Sequence, residues 1–372
     1  MTFRRPPEAA PVHGSPPIPR RLRLALATAL LAAGAFSAPA MAESSARVVA
    51  SIKPVHSLVS AVMAGTGAPY LVMQGAGSPH SFNIRPSDAA VLQEAEVIFL
   101  IGEGMETSLA GAVDSISGQA RVVELSEVPG LIRRPFREGG AFEGHDHGHG
   151  HGHEQEEHEE EEHGDGEHGE EEHEEEEHGH QGHEGDDHGD EKDDSFDMHL
   201  WLDPRNAGAM ARAIAVALSA ADPGRAEVYS ANAEALQGRL DDLSARISMD
   251  LAPVRDRPFI VFHDAYQHFE ERFGLAAVGS AVVSAERSPG IRRIRDLREK
   301  LRELSVTCVV SEPGAELRVV NVIVEGTAAR IGIVDPLGAT IDSGPELYFR
   351  LLSDMAAAFG DCLAPEVTAG GE

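Results

Sequence analysis

The sequence predicts an α/β protein of two lobes, each with a mostly parallel sheet flanked by helices, joined by a long rigid linking helix. Three features point there. Continuous apolar runs such as Val97-Ile-Phe-Leu-Ile101 mark strands covered on both faces. Strand-like and helix-like segments alternate in both halves of the chain, the order that builds a parallel sheet. Between the halves, Leu236, Leu240, Leu243, Ile247 and Leu251 recur along one helical face with no breaker.

The first segment reads as an address rather than as structure. Arg4, Arg5, Arg20, Arg21 and Arg23 lead an apolar run from Leu24 to Phe36, and Ala40 and Ala42 are the small residues a signal peptidase reads. Residues 1–42 are therefore expected to be an export signal. The run is shorter than the roughly 20 apolar residues of a membrane span; a retained anchor is the alternative reading. Cleavage leaves about 330 residues, room for two domains.

The N-terminal lobe is expected over residues 43–220. Arg47 to Ile52 reads as a strand, followed by a helix from about Val55 to Ala64 and a second strand over Tyr70 to Met73. A Gly-rich loop then carries Ser78-Pro-His80. Pro86-Ser-Asp88 caps a helix to about Gln93, because Ser and Asp side chains accept from the open N–H groups of a helix start. After the strand at 97–101, residues 143–195 contain His, Glu, Asp and Gly with almost nothing apolar. Such a tract cannot offset the entropy of ordering, so it is expected as a disordered insertion. Order returns at Phe196-Asp-Met-His-Leu-Trp-Leu-Asp-Pro204, with an Ala-rich helix to about Ala220.

Asp222-Pro223 opens the linking helix, placed at 221–252. The C-terminal lobe follows over 253–372. Its expected elements are strands at Phe259–Phe262, near Val278 and at Thr307–Ser311, with helices near Gln267, at Ile291–Leu304, at Val319–Arg330 and at Glu346–Phe359. Cys308 and Cys362 fall on a strand and the last helix of this lobe. In an exported chain the pair is expected as a disulfide; two buried free thiols are the alternative, which an oxidising compartment disfavours.

The formal charge of −31 is mostly the property of one tract. Glu143 to Asp194 holds 25 Asp and Glu against the single Lys192. The balance argues against nucleic acid as a partner, since phosphate binding needs a basic face.

Five histidines lie outside the signal and the tract: His56, His80, His199, His263 and His268. His80, His199 and His263 each sit at a strand end or in the loop after one. Ligands of open parallel sheets bind outside those ends, so two facing sheets would bring the three imidazoles into one cleft. That donor set suits zinc, which favours four-coordinate ligation. Asp335, in Val334-Asp-Pro-Leu-Gly338, or a water completes the set, and Glu312 stands at another strand end. His56 and His268 are read as helix-surface or packing residues. The tract holds 13 histidines, among them His145, His147, His149, His151 and His153, beside carboxylates that favour accessory divalent-metal binding.

Seven motifs in order resemble the metal-binding cluster of ABC-transporter substrate-binding proteins, closest to the zinc ZnuA type. They are Ser51-Ile-Lys-Pro54, Gly77-Ser-Pro-His-Ser-Phe82, Arg85-Pro-Ser-Asp88, Met198-His-Leu-Trp-Leu-Asp-Pro204, Phe262-His-Asp-Ala-Tyr266, Ser311-Glu-Pro313 and Asp335-Pro-Leu-Gly338. The resemblance covers essentially the whole mature chain, His-rich insertion included. It implies His80, His199 and His263 as the first three metal ligands. Manganese-type relatives carry a carboxylate at the third, so His263 favours zinc. Some zinc members place a glutamate before the first histidine; Pro79 stands there and cannot ligate, which leaves Asp335 or water. A disulfide in the second lobe is also implied.

The resemblance further implies a periplasmic protein that captures Zn2+ between its lobes with high affinity. It would deliver the ion, as a monomer, to an inner-membrane permease with its cytoplasmic ATPase. Capture, not catalysis, is the expected activity. A zinc hydrolase would share three histidines and an open position, but no His-Glu-x-x-His helix is present. A periplasmic zinc buffer or metallochaperone acting through the tract is the other reading, and it leaves the rest of the chain unexplained.

Overall fold

Two four-stranded parallel sheets organise the chain, and both use the same strand order. The computed structural model describes residues 47–75, 77–137, 141–142, 196–282 and 288–365. The expected export signal and the His-rich tract, with the five tract histidines named above, lie outside the described residues.

The first sheet contains β1 (Val48–Ala50), β2 (Tyr70–Leu71), β3 (Val97–Leu100) and β4 (Arg121–Glu124) in the order β2-β1-β3-β4, crossed by α1 (Lys53–Val62), α2 (Pro86–Glu94) and α3 (Glu103–Ile116). Helices α4 (Pro204–Ala221) and α5 (Ala226–Asp250) come next. The second sheet contains β5 (Phe259–His263), β6 (Ala277–Val282), β7 (Cys308–Ser311) and β8 (Arg330–Ile333) in the order β6-β5-β7-β8, with α6 (Gln267–Phe273), α7 (Ile291–Glu303) and α8 (Leu317–Val324) between its strands and α9 (Leu347–Leu363) after them. Every described pairing within the two sheets is parallel.

Four expectations need adjustment. Helix α3 was not foreseen, because Gly104 and Gly111 dilute its apolar face. Strands β4 and β8 are edge strands, partly exposed along Arg-Val-Val-Glu and Arg-Ile-Gly-Ile, so neither shows a continuous apolar run. The helix expected to reach Arg330 stops at Val324, where Gly326 takes a left-handed φ of 68° that only glycine adopts readily. The long helix starts at Ala226, since Pro223–Arg225 form a 3₁₀ turn.

Strand β5 shows how the core is divided. Phe259 and Val261 face a large buried cluster, while Ile260 and Phe262 face a smaller one with Leu297, Leu301, Val309, Val320 and Ile323, as the two-residue period of a strand requires. The large cluster is continuous from Val48 to Leu363 and includes residues of both sheets, Trp201, α1, α4, α5 and α9. The described residues accordingly form one compact unit. The buried face of α5 is Tyr229, Ala233, Leu236, Leu240, Leu243 and Ile247, and it packs on α1, α4 and α9. Asn232 donates to the carbonyls of Val62 and Ala64, both at 2.9 Å. Arg239 reaches Glu346 at 2.7 Å and lies 3.8 Å over the Phe349 ring.

Polar contacts join the lobes next to the cleft. The Lys53 ammonium, at the start of α1, donates to the carbonyls of Gly338, Ala339 and Ile341 at 3.1, 2.7 and 2.9 Å. Tyr348 donates its hydroxyl to the Trp201 carbonyl at 2.6 Å and its N–H to the Ser57 hydroxyl at 3.0 Å. The disulfide between Cys308 and Cys362 is formed and ties β7 to α9. Gly332 on β8 makes room for it, since a Cβ there would lie 2.7 Å from the Cys362 sulfur.

Candidate metal centre

His80, His199 and His263 come together from three separate segments. His80 lies on a 3₁₀ turn, Pro79–Ser81, whose start is capped by the Ser78 hydroxyl accepting from the His80 N–H at 3.3 Å. His199 precedes the turn Leu200–Leu202 that leads into α4, and His263 is the last residue of β5. The ring centroids are 5.7, 5.7 and 5.1 Å apart. One donor nitrogen from each lies within 4.8 Å of the others, and among the described residues this is the one such group of three or more metal-donor side chains. Tetrahedral zinc at 2.0–2.1 Å from each nitrogen needs donors about 3.3 Å apart, inside the 4.8 Å that bounds the three here. His199 and His263 are buried and His80 is half-buried. The rings border a cavity of ≈ 310 Å³ that Glu312, Trp201 and Pro336 also line.

Carboxylates orient two of the rings. His199 donates Nδ1–H to Asp197 at 2.7 Å, and its backbone N–H goes to the same oxygen at 3.0 Å. His263 donates Nδ1–H to Glu312 at 3.0 Å. With Nδ1 protonated, Nε2 carries the lone pair, the form a metal ligand requires. Burial alone would raise the Asp197 carboxyl, but the charge and hydrogen bonds of His199, with the charge of His268, hold it well below the usual carboxylate range. Beside His263, Asp264 and Glu270 are both bound by Arg137, whose guanidinium reaches Glu270 at 2.7 Å. Two buried carboxylates against one guanidinium, plus Asp197 and Glu312, leave the neighbourhood net negative, which favours a cation.

Asp335 is not in the cluster. Its Oδ1 accepts from the N–H groups of Leu337 and Gly338 at 2.9 Å, and Oδ2 accepts from Ala339 at 2.6 Å. Those bonds fold the loop whose carbonyls Lys53 grips. Glu312 lies against the site, as the partner of His263. His268 is wholly buried rather than on a helix surface, and donates to the Asp197 carbonyl at 2.9 Å. His56 is likewise a packing residue, bonded to the Pro69 carbonyl at 3.2 Å. Burial lowers both imidazoles below their ordinary range. Asp197 and Lys53 were missed; the spacing Asp-x-His was the one local signal for the former.

Residues 48–362 match the family of ZnuA, the periplasmic component A of the zinc-uptake complex. The chain belongs to this family. The high-affinity zinc uptake system protein ZnuA of Brucella suis biovar 1 is 47% identical over 345 residues, covering 92% of this chain and 98% of that protein. The protein of the same name from Paracoccus denitrificans is 36% identical over 346 residues, with 92% and 98% covered. Among solved structures, a crystal structure of ZnuA superposes with a TM-score of 0.64 at 19% identity, over 86% of this chain and all of that one. A zinc-bound ZnuA deletion mutant gives 0.64 at 19% identity, over 87% and 99%. At that identity the structural likeness speaks to the fold, and the ZnuA family fold is the two-sheet architecture described above.

Proposed function

We propose that the chain is the zinc-capturing component of a zinc-uptake ABC transporter, binding Zn2+ through His80, His199 and His263. The observation that carries this reading is the convergence of three imidazoles, two of them set by carboxylates, in a chain of the ZnuA family. We assign the fourth position to a water, because Asp335 does not join the group of donor side chains that the three histidines form and its oxygens instead brace its own loop. Zinc is cargo, and the chain's part is to bind and release it rather than to transform a substrate.

In this reading residues 1–42 export the chain to the periplasm, where it works as a monomer and docks an inner-membrane permease with its cytoplasmic ATPase. Lobes at 43–220 and 253–372 flank the cleft, α5 serves within the 221–252 link, and the tract over 143–195 raises the local zinc concentration as an accessory site. Zinc titration by calorimetry of the mature chain, beside a variant lacking 144–194, tests this. One tight site that survives the deletion and disappears in His80→Ala and His263→Ala is the expected result. Loss of tight binding with the tract alone would make the protein a buffer instead.

A further inference from the structure

Ligands of parallel α/β sheets gather where the strand order reverses, outside the carboxyl ends of the strands. In the second sheet that point lies between β5 and β7, and it carries His263 and Glu312. In the first sheet it lies between β1 and β3, and the side chain that fills it is Glu106. This residue is wholly buried. Its Oε2 accepts from the N–H groups of Ile101 at 2.6 Å and Gly102 at 3.2 Å, both just past β3. The Ser51 hydroxyl, just past β1, faces the same carboxyl. Glu106 departs from helical dihedrals inside α3, at φ −126° and ψ 46°. Nothing in the metal centre uses this group directly.

The corner that Glu106 ties down touches two of the three histidine segments. Helix α3 packs against the turn that carries His80. Gly102 lies against Met198, the neighbour of His199: a Cβ at 102 would stand 3.1 Å from the Met198 methyl and 2.6 Å from the Ser126 hydroxyl. We propose that Glu106 is a positioning residue for the metal centre, its buried carboxyl holding the β3–α3 corner on which the His80 and His199 segments rest. The proposal rests on the three histidines being the zinc site.

Burial pushes this carboxyl up to about 7, against the pull of Ser51 and the two N–H groups, and Glu124 on β4 adds to the rise. Helix α2, also packed on α3, presents Asp88, which Arg85 and Tyr70 engage. The neutral acid is thus the resident form below about pH 7, and ionisation above it places an unsolvated charge at the corner.

The test is a competitive zinc titration of the full chain, with Glu106→Gln and Glu106→Ala, across about pH 6 to 8.5, together with cobalt(II) absorption spectra at the tight site. Gln keeps an acceptor of the same shape that does not ionise. Glu106→Ala should weaken zinc binding about tenfold, the scale of outer-shell changes, and alter the cobalt bands. Glu106→Gln should match the parent at the acid end and lack the extra weakening that the parent shows above neutrality. An alanine variant with parental affinity and spectrum, or superimposable parent and Gln profiles, would overturn the proposal. Should the alanine variant fail to fold, the Gln profile decides alone. His263→Ala in the same series separates the two ideas: tight binding that persists there refutes the three-histidine site, whereas neutral Glu106 variants on a His263-dependent site refute only the positioning role.

Discussion

Asp197 shows what single residues contribute at this centre. One carboxylate oxygen accepts from both the ring and the backbone of His199, so the tautomer and the ring direction are set together. Asp197→Asn keeps the shape but loses the charge that supports the imidazole as a ligand. Zinc affinity in that variant should fall by about 10- to 100-fold with the fold retained, as read by competition with a chelator of known strength. Unchanged affinity would mean that Asp197 serves packing alone. The convergence of His80, His199 and His263 was legible in the sequence through their motifs: His263 ends β5, and the other two lie at 3₁₀ turns in loops that reach the cleft. Asp335 occupies the same kind of position, yet its oxygens are committed to Leu337, Gly338 and Ala339. That outcome depends on loop N–H groups whose directions no residue pattern reveals. Glu106 was illegible for a similar reason, since its partners are main-chain atoms at 101 and 102.

At the scale of elements, the second lobe depends on the bond between β7 and α9. Cys308 and Cys362 are separated by 54 residues, and closing a loop of that size in the unfolded chain is worth about 4 kcal/mol in the chain-entropy model. The double variant Cys308→Ala/Cys362→Ala should lose stability on that order in urea unfolding, with the zinc-binding stoichiometry unchanged. An unfolding midpoint equal to the parent's would show that packing of α9 suffices without the bond. The pair could be read from composition and the expectation of export. The need for Gly332 could not, because it arises from a contact between β8 and the last helix. Buried strands β1, β3, β5 and β7 announce themselves as apolar runs, whereas edge strands β4 and β8 keep one face in water and blend into loops.

At the scale of the molecule, the larger of the two apolar clusters runs through both lobes by way of α1, α5 and α9, and Lys53 and Tyr348 bond across them beside the cleft. A hinge opening would break buried packing and leave the Lys53 ammonium without its three carbonyls, a costly change for a buried charge. Zinc capture should therefore proceed with local side-chain closure, and X-ray scattering profiles of the apo and zinc-bound protein lacking the tract should superimpose. A marked compaction on zinc binding would contradict this. Two lobes and a breakerless helix could be foreseen from periodicity. That one cluster runs through both could not, since it is a matter of which helix faces meet. The central claim, that three imidazoles hold the ion, is tested most directly by zinc K-edge X-ray absorption at less than one equivalent of metal. The outer-shell scattering should report three imidazoles and one further light ligand, with one imidazole lost in His263→Ala. A shell dominated by carboxylate oxygen, or one that His263→Ala leaves unchanged, would contradict the account.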